Sequence, residues 1–363
     1  MFYYLAQLRD YFFGFNIFRY ITFRAGMAAV TTFLFCMIFG SAVIQKFKAW
    51  RIEECLKRDD CPQLDPLHCY KEGTPTMGGV FIVGSIIVSV LMWCDLANRF
   101  VQLTLLTCLW MALLGWTDDY IKLTRRRKGK RGLGARTKFF WQCLLGFCVG
   151  LILYLDPATT TKIDIPFFKN IVIDLGIFYI PFVILVIVSA SNAVNVTDGL
   201  DGLAIGNVLM VALGLGALSY ITGNVNFSKY LFIPYVSGAG ELLIFSAAIV
   251  GASLGFLWFN CYPASIFMGD VGSLALGGML GVIAVLIKKE FLLILLGGIF
   301  VIEVLSVLLQ ILSIKIRHKR FLKVSPLHHH LQLIGWSESK IIIRFWIIGI
   351  IFILLTLTTL KIR

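Results

Sequence analysis

Five aspartates stand where apolar stretches of the chain give way to polar ones, and they are the first candidates for chemistry. Two are adjacent and three lie further along the chain: Asp118, Asp119, Asp198, Asp201 and Asp270. The stretch 191–202 holds two of them, with two Asn and two Asp-Gly pairs but no Lys or Arg. Clustered carboxylates near Lys are typical of a Mg²⁺ site for phosphorylated substrates, because Mg²⁺ takes oxygen ligands and is commonly shared with phosphates.

Three further polar stretches lie beside apolar segments and offer groups of other kinds. The first, 71–79, contains Lys71 and Thr76. The second, 260–270, opens with an Asn and includes a Phe, and the third is the run His328–His330. Whether these stretches can act together depends on the elements that position them.

The composition predicts that helices in a membrane position these residues. The chain has 363 residues, 58% of them hydrophobic, and a mean hydropathy of +0.85, whereas a soluble domain is about 45–50% apolar. The excess lies in continuous apolar runs of roughly 17–25 residues, the length of a membrane helix. We predict spans over 24–45, 78–94, 100–116, 139–155, 177–194, 202–221, 241–259, 272–287, 291–314 and 341–360. The predicted fold class is an all-α integral membrane protein with about ten transmembrane helices, one polytopic domain over 1–363, and an interfacial segment over 1–22.

The distribution of positive charge predicts which loops share a face. Most of the 33 Lys and Arg residues lie in the loops after spans one, three and nine, so the positive-inside rule makes these loops cytoplasmic and both termini extracytoplasmic. This also explains the net charge of +13 without a nucleic-acid partner. The predicted cytoplasmic loops are 46–77, 117–138, 195–201, 260–271 and 315–340. The polar stretches therefore converge on one face, and the outer segment 156–176 is expected to form a small hairpin.

The acidic residues also have structural interpretations, which remain open at this point. Asp118 and Asp119 could simply pair with Lys122, because residues three and four apart are neighbours on a helix. Asp198 or Asp201 could cap the sixth span, since Asp is a favoured N-cap. Capping would explain one of these two acids and not the other.

The later candidates have comparable alternatives. Asp270 could cap the eighth span. Three adjacent His cannot all face one site from a helix or strand, so His328–His330 do not suggest a structural zinc site and could form a surface loop. Glu303, inside the ninth span, is expected to be buried and paired with backbone or with Gln310.

Five motifs together resemble those of a known family. They are Gly73-Thr-Pro-Thr-Met-Gly-Gly79, Asp118-Asp119-x-x-Lys122, the stretch Asn192–Gly202, Phe267-Met-Gly-Asp-x-Gly-Ser273, and His328–His330 followed by Gly335-Trp336. On these residues the chain resembles the MraY family, the bacterial phospho-N-acetylmuramoyl-pentapeptide transferases of the polyprenyl-phosphate N-acetylhexosamine-1-phosphate transferase superfamily. One position departs from the pattern, because Gln332 stands where the family usually has an acid.

The resemblance implies a reaction, a cofactor and partners. UDP-N-acetylmuramoyl-pentapeptide and undecaprenyl phosphate would give lipid I and UMP, with Mg²⁺. This is the first membrane step of peptidoglycan synthesis. It also implies a homodimer in the bacterial inner membrane, with its active site on the cytoplasmic side.

The resemblance further implies roles for individual residues. The catalytic residues would be Asp118, Asp119 and Asp270, with Asp270 as the leading Mg²⁺ ligand and the other two as further candidate ligands. Phosphates would be contacted by Lys71, Thr76 and Lys122. The nucleotide pocket would be formed by Asn195, Asp198, Asp201, Asn260 and Phe267, with the Phe267 ring stacking on uracil. The remaining substrate-binding residues would be Gln310, His328, His329 and His330, with the His run near the sugar diphosphate.

Direct attack by the lipid phosphate is the favoured mechanism. A phosphomonoester has a second pKa of about 6, so the nucleophile is already mostly dianionic at pH 7. A general base then contributes little, and repulsion between two anions is the larger obstacle, which Mg²⁺ and Lys reduce. Asp118 would orient or deprotonate the lipid phosphate, and Asp119 would support the same site. A covalent aspartyl-phosphate intermediate is the alternative that the sequence leaves open.

Three other functions also remain open. The nearest is a UDP-N-acetylglucosamine:polyprenyl-phosphate N-acetylglucosamine-1-phosphate transferase, which performs the same chemistry on another sugar. A transporter or lipid flippase is less compatible with polar groups gathered at one face and with the lack of an evident inverted repeat. A non-catalytic scaffold would leave the shared location of five polar loops unexplained.

Overall fold

The fold is built almost entirely from helices. The computed structural model describes residues 1–52, 71, 73–124, 132–165 and 172–361. Its helices are α1 Phe2–Leu5, α2 Ile21–Ala49, α3 Gly79–Trp93, α4 Arg99–Thr124, α5 Ala135–Leu155, α6 Tyr179–Thr197, α7 Leu203–Thr222, α8 Val225–Leu231, α9 Glu241–Asn260, α10 Gly269–Leu286, α11 Glu290–Leu296, α12 Gly298–Arg317, α13 Leu327–Leu333 and α14 Glu338–Thr359. The two strands are β1 Lys162–Asp164 and β2 Val172–Asp174.

The predicted all-α membrane fold is confirmed. Within the described ranges, nine helices are long and apolar enough to cross a membrane, and the apolar helix α3 is shorter, with 15 residues. Each of the ten predicted spans coincides with a helix, except that the ninth is divided into α11 and α12. The division falls at Gly297-Gly298, where two residues of low helix propensity follow each other.

Helix α4 is longer than its apolar run. The predicted span 100–116 continues to Thr124, so Asp118 and Asp119 lie on the last turns of a helix rather than in the predicted loop 117–138. Their carboxylates are buried against residues from other segments, which explains why polar residues extend a helix that hydropathy alone would end. Residues 125–131 of that loop lie outside the described residues.

Helix α10 forms the centre of the bundle. It packs against α3, α4 and α6, and its residues from Val271 to Leu286 are all buried. Close approach at its first turn depends on small residues, because a Cβ on Gly79 of α3 would overlap the backbone of Gly272. Helix α9 forms a second centre by packing on α2 and α7.

Two strands between α5 and α6 form the predicted hairpin. Strands β1 and β2 pair antiparallel, with Ile163 opposite Ile173. Two lysines just after the C-terminal end of α10 hold the hairpin there. Lys288 Nζ donates to the carbonyl of Thr160 at 2.5 Å, and Lys289 Nζ lies 3.3 Å from Asp164 Oδ2. Residues 166–171, between the two strands in sequence, lie outside the described residues.

Candidate active site

Three of the predicted catalytic residues come together in one carboxylate cluster. Asp118 and Asp119 approach from the end of α4, and Asp270 approaches from the first turn of α10. One oxygen from each lies within 4.8 Å of the others. Asp118 is 1% exposed and Asp119 is 4% exposed, so these charges need partners inside the protein.

Two lysines supply those partners. Lys122 Nζ lies 2.7 Å from Asp118 Oδ2 and 3.0 Å from Asp270 Oδ2. Lys138 Nζ bridges the same two oxygens at 2.8 and 2.5 Å. Pairing of the acids with Lys122 is therefore present, but it joins residues from two helices and is not only a local pair along α4.

The start of α10 is shaped to bring Asp270 against α4. Gly269 has a φ of +73°, a conformation that costs glycine little. A Cβ at this position would lie 2.7 Å from Asp119 Oδ2 and 3.3 Å from the Thr76 hydroxyl. The N-cap of α10 is Met268 without a side-chain bond, so capping does not explain Asp270.

Asn195 also lies at the carboxylate cluster. Its amide nitrogen donates to Asp270 Oδ1 and to the Ser273 hydroxyl, each at 2.8 Å. These contacts orient the Asp270 carboxylate, and a role of Asn195 in the nucleotide pocket stays a prediction.

A second group of charges surrounds Lys71. Lys71 Nζ lies 2.7 Å from Asp201 Oδ1 and 2.8 Å from Glu338 Oε1, and 5.9 Å from the centre of the Phe267 ring. We call Lys71, Asp201 and Glu338 the Lys71 cluster. Burial is the largest effect on Asp201 and raises the pKa of its carboxyl, and Lys71 opposes this rise. Lys71 thus lies with two predicted nucleotide-pocket residues.

Backbone pairing joins the two clusters. The amide of Phe267 donates to the carbonyl of Pro75, and the amide of Gly78 donates back to the carbonyl of Phe267, both at 2.8 Å. Asn260 fastens the neighbouring loops, because its Oδ1 accepts from the Gly202 amide at 2.9 Å and its Nδ2 donates to the Ile266 carbonyl at 2.8 Å. The polar stretches therefore form one continuous site.

The N-cap position of the sixth span is occupied by neither acid of the 191–202 stretch. The N-cap of α7 is Gly202 without a side-chain bond. Asp201 instead accepts from the Ala264 amide at 3.0 Å, and Asp198 is the half-buried residue that ends α6. Capping therefore does not explain Asp201.

The three His residues contact three different partners. His328 Nδ1 is 3.1 Å from Glu303 Oε2, with both side chains buried, and its ring lies against Gly199. His329 Nδ1 lies 2.9 Å from Gln332 Oε1. His330 Nδ1 accepts from the Lys323 amide at 3.1 Å. His328 thus connects α12 to the 191–202 stretch. Glu303 is buried as predicted, and its partners are the ring and the backbone amide of His328 rather than Gln310.

Gln310 is engaged with backbone. Its Oε1 accepts from the amides of Phe321 and Leu322 at 3.1 and 2.8 Å, and its amide nitrogen donates to the Leu322 carbonyl at 3.2 Å. These bonds hold the loop that leads to the His run. Substrate binding by Gln310 stays a prediction.

Two residues of the site were missed by the sequence reasoning. Lys138 lies in the first turn of α5, in a segment that the sequence assigned to a basic loop. Glu338 follows a Ser at the start of the last helix. An acid in a first helical turn is common because it suits the helix dipole, so Glu338 carried no distinctive local signal. Only the packing of distant helices places these two charges beside the motifs.

The carboxylate cluster could hold a metal ion. It combines three carboxylates from two helices, and Mg²⁺ and similar hard cations prefer such oxygen ligands. Asp118 Oδ2 is buried and is engaged by ion pairs with Lys122 and Lys138 that lack hydrogen-bond geometry. The donor set therefore fits a hard divalent cation.

Known proteins with similar sequences identify the family. The chain matches the model of glycosyl transferase family 4 over residues 101–288 and a phospho-N-acetylmuramoyl-pentapeptide-transferase signature over 71–83. It is 51% identical over 362 residues to the phospho-N-acetylmuramoyl-pentapeptide-transferase of Thermodesulfovibrio yellowstonii, covering 99% of both chains. The enzymes of the same name from Citrifermentans bemidjiense and Geobacter sp. strain M21 are 51% and 52% identical over 349 residues, 96% of each chain. The chain is a multi-pass membrane protein and belongs to the phospho-N-acetylmuramoyl-pentapeptide-transferase family.

Proposed function

We propose that the protein transfers phospho-N-acetylmuramoyl-pentapeptide from its UDP conjugate to undecaprenyl phosphate, giving lipid I and UMP. The observation that carries this proposal is the carboxylate cluster, which lies within a chain about half identical to enzymes of that name. The 71–83 signature favours this substrate over UDP-N-acetylglucosamine.

Mg²⁺ is the proposed cofactor, held by Asp270 with Asp118 and Asp119. When bound, it would neutralise charge on the phosphates as they approach each other. Lys122 and Lys138 are placed to help, because each ammonium lies within 3.0 Å of carboxylates from both helices. They would turn toward phosphate oxygens as the acids engage the metal.

The reaction proceeds by direct attack of the lipid phosphate oxygen on the phosphorus that bears the sugar. A new P–O bond forms, the bond to the UMP oxygen breaks, and UMP leaves with that electron pair. The surroundings of Asp118 support this route over an aspartyl-phosphate, because Oδ1 accepts from the Leu133 amide at 2.6 Å and Oδ2 lies between two ammonium groups. A carboxylate engaged at both oxygens is a poor nucleophile.

The nucleotide end would lie at the Lys71 cluster. Phe267 offers a half-buried ring with the Lys71 ammonium beside it, and Asn260 and Asp201 fix the loops around that ring. Lys71 would therefore contact the nucleotide rather than the phosphate at the carboxylate cluster. Asp198 and the His run are proposed to complete the pocket toward the sugar diphosphate.

The setting of the enzyme is proposed from its charge pattern and family. The site would face the cytoplasm, where UDP-sugars occur, in a bacterial inner membrane with both termini outside. A homodimer is the proposed assembly, and light scattering of the detergent-solubilised protein would measure it.

Release of UMP tests the function. Purified protein is incubated with undecaprenyl phosphate and either UDP-N-acetylmuramoyl-pentapeptide or UDP-N-acetylglucosamine, with and without Mg²⁺. We expect UMP only from the muramoyl substrate and only with the metal. Release from the N-acetylglucosamine substrate alone would establish the alternative transferase, and substrate uptake into liposomes without UMP would indicate a transporter.

A further inference from the structure

Glu338 is a buried carboxylate that the proposed reaction does not use. It is the first residue of α14 and is 8% exposed. Its Oε1 accepts from Lys71 Nζ at 2.8 Å and from the backbone amide of Asp201 at 2.9 Å. One oxygen thus connects the last helix to two segments of the proposed nucleotide end.

The position of the Lys71 ammonium depends on two carboxylates, those of Asp201 and Glu338. The Lys71 ammonium is held on one side by Asp201 Oδ1 at 2.7 Å and on another by Glu338 Oε1. Lysine is a flexible side chain with rotatable donors, so a single partner would leave its position loosely fixed. Two partners from different elements fix the ammonium 5.9 Å from the centre of the Phe267 ring.

Charge balance argues against a purely stabilising role for Glu338. The Lys71 cluster has one cation and two anions, all buried. Without Glu338, Lys71 and Asp201 would still form an ion pair at 2.7 Å, so the pairing of these two charges does not depend on Glu338. Helix α14 is held by other contacts, since Ile341, Ile342 and Phe345 pack in an apolar cluster with Leu200 and Leu203.

We propose that Glu338 is a positioning residue for nucleotide binding, which fixes the Lys71 ammonium and the Asp201 backbone beside Phe267. It acts through these groups and does not touch the reacting phosphates. This inference rests on the proposed function, because it takes the Lys71 cluster as the nucleotide end.

Binding of UMP to the full-length protein in detergent tests the inference separately from turnover. In Glu338→Ala both hydrogen bonds are lost, and we expect the Kd for UMP and the KM for the UDP-sugar to rise about tenfold, as expected when a charge-assisted hydrogen bond is lost. The kcat and the KM for undecaprenyl phosphate should change less than about threefold. Glu338→Gln keeps an oxygen at the same position, so it should restore most of the UMP affinity.

A second variant and a matched control complete the test. Glu338→Asp keeps the charge but shortens the side chain, and it should weaken UMP binding as Ala does, even if the Ala variant does not fold. Ser339→Ala, at the exposed neighbouring position, should bind UMP like the wild type. The inference would be overturned if folded Glu338→Ala and Glu338→Asp bound UMP as tightly as the wild type does. It would also be overturned if Glu338→Gln and Glu338→Ala lost UMP affinity equally and both had a lower Tm. Failure of the wild type to release UMP from the muramoyl substrate would instead overturn the proposed function.

Discussion

At the scale of residues, the charged side chains of the site form two separate groups. The carboxylate cluster gathers three acids and two lysines at the meeting of α4 and α10. The Lys71 cluster gathers one lysine and two acids around a ring. Backbone hydrogen bonds between the segments at Pro75 and Phe267 connect the two clusters. Under the proposed function, phosphate chemistry and nucleotide recognition would therefore use different lysines.

Asp270→Asn should nearly abolish turnover while the protein still folds. The amide keeps the size of the carboxylate but removes the charge that pairs with Lys122 and Lys138 and would bind the metal. We expect kcat for UMP release to fall at least about a hundredfold. Asp164→Asn, the same change at the outer hairpin, is the control and should keep normal kcat. Near-normal activity of Asp270→Asn would refute its role as a metal ligand.

Asp201→Asn should act on the nucleotide and not on the phosphate transfer. Asp201 uses both of its oxygens, Oδ1 for the Lys71 ammonium and Oδ2 for the Ala264 amide, so an amide must lose one of these bonds as well as the charge. The carboxylate cluster is untouched. We expect the KM for the UDP-sugar to rise about tenfold with kcat changed much less. Steady-state kinetics with each substrate varied separately would measure this, and a fall in kcat at unchanged KM would contradict the assignment.

At the scale of elements, the site depends on how closely the helices approach each other. Helix α3 crosses α10 where Gly79 meets Gly272, in the same first turn that carries Asp270. Gly269 allows that turn through its positive φ. Larger residues would separate the segments that bring Thr76, Asp119 and Asp270 together.

Gly79→Ala should lower both stability and activity. Its Cβ would overlap the backbone of Gly272, which cannot rotate away as a side chain could, and overpacking of this kind typically costs about 1–3 kcal/mol. Gly84→Ala in the same helix is a matched control, since a Cβ there has nothing within 4 Å. Thermal unfolding in detergent and UMP release would compare the two variants. Equal Tm values would show that the close approach is not needed.

The sequence predicted the elements better than their ends. Hydropathy located all ten spans, because transfer into lipid depends mainly on composition. It ended the third span near 116, although Asp118 and Asp119 continue the helix through contacts made with other segments. The motifs predicted the carboxylate cluster, but Lys138 and Glu338 depend on contacts across more than 130 residues. No local pattern reports such contacts.

At the scale of the whole molecule, α10 connects the two ends of the bundle. Asp270 lies in its first turn, and Lys288 and Lys289 follow its last residue. These lysines hold the hairpin through Thr160 and Asp164. The carboxylate cluster and the hairpin are thus joined by one buried helix.

The free energy of unfolding should increase as pH rises above about 8, because of Lys288 at the end of α10. Burial lowers the pKa of Lys288 from 10.5 to about 8, so between these values the unfolded chain holds a proton that the folded protein has released. Because stability rises with pH wherever the unfolded state binds more protons, the gain should be about 1 kcal/mol between pH 8 and 9. Lys288→Met should lack this contribution, and Tm measured against pH for both proteins would reveal it. Parallel curves would contradict the shift.

The two lysines beside the carboxylate cluster also bear on whether the protein needs a metal ion for its stability. Lys122 and Lys138 already balance much of the acidic charge, so the fold does not require an ion to relieve repulsion between carboxylates. The metal would then be an exchangeable cofactor that binds together with the substrate's phosphates, and not a structural metal ion. Treatment with EDTA should accordingly stop UMP release while leaving the Tm unchanged, and adding Mg²⁺ should restore activity without refolding. A large fall in Tm on chelation would show instead that the ion is part of the architecture.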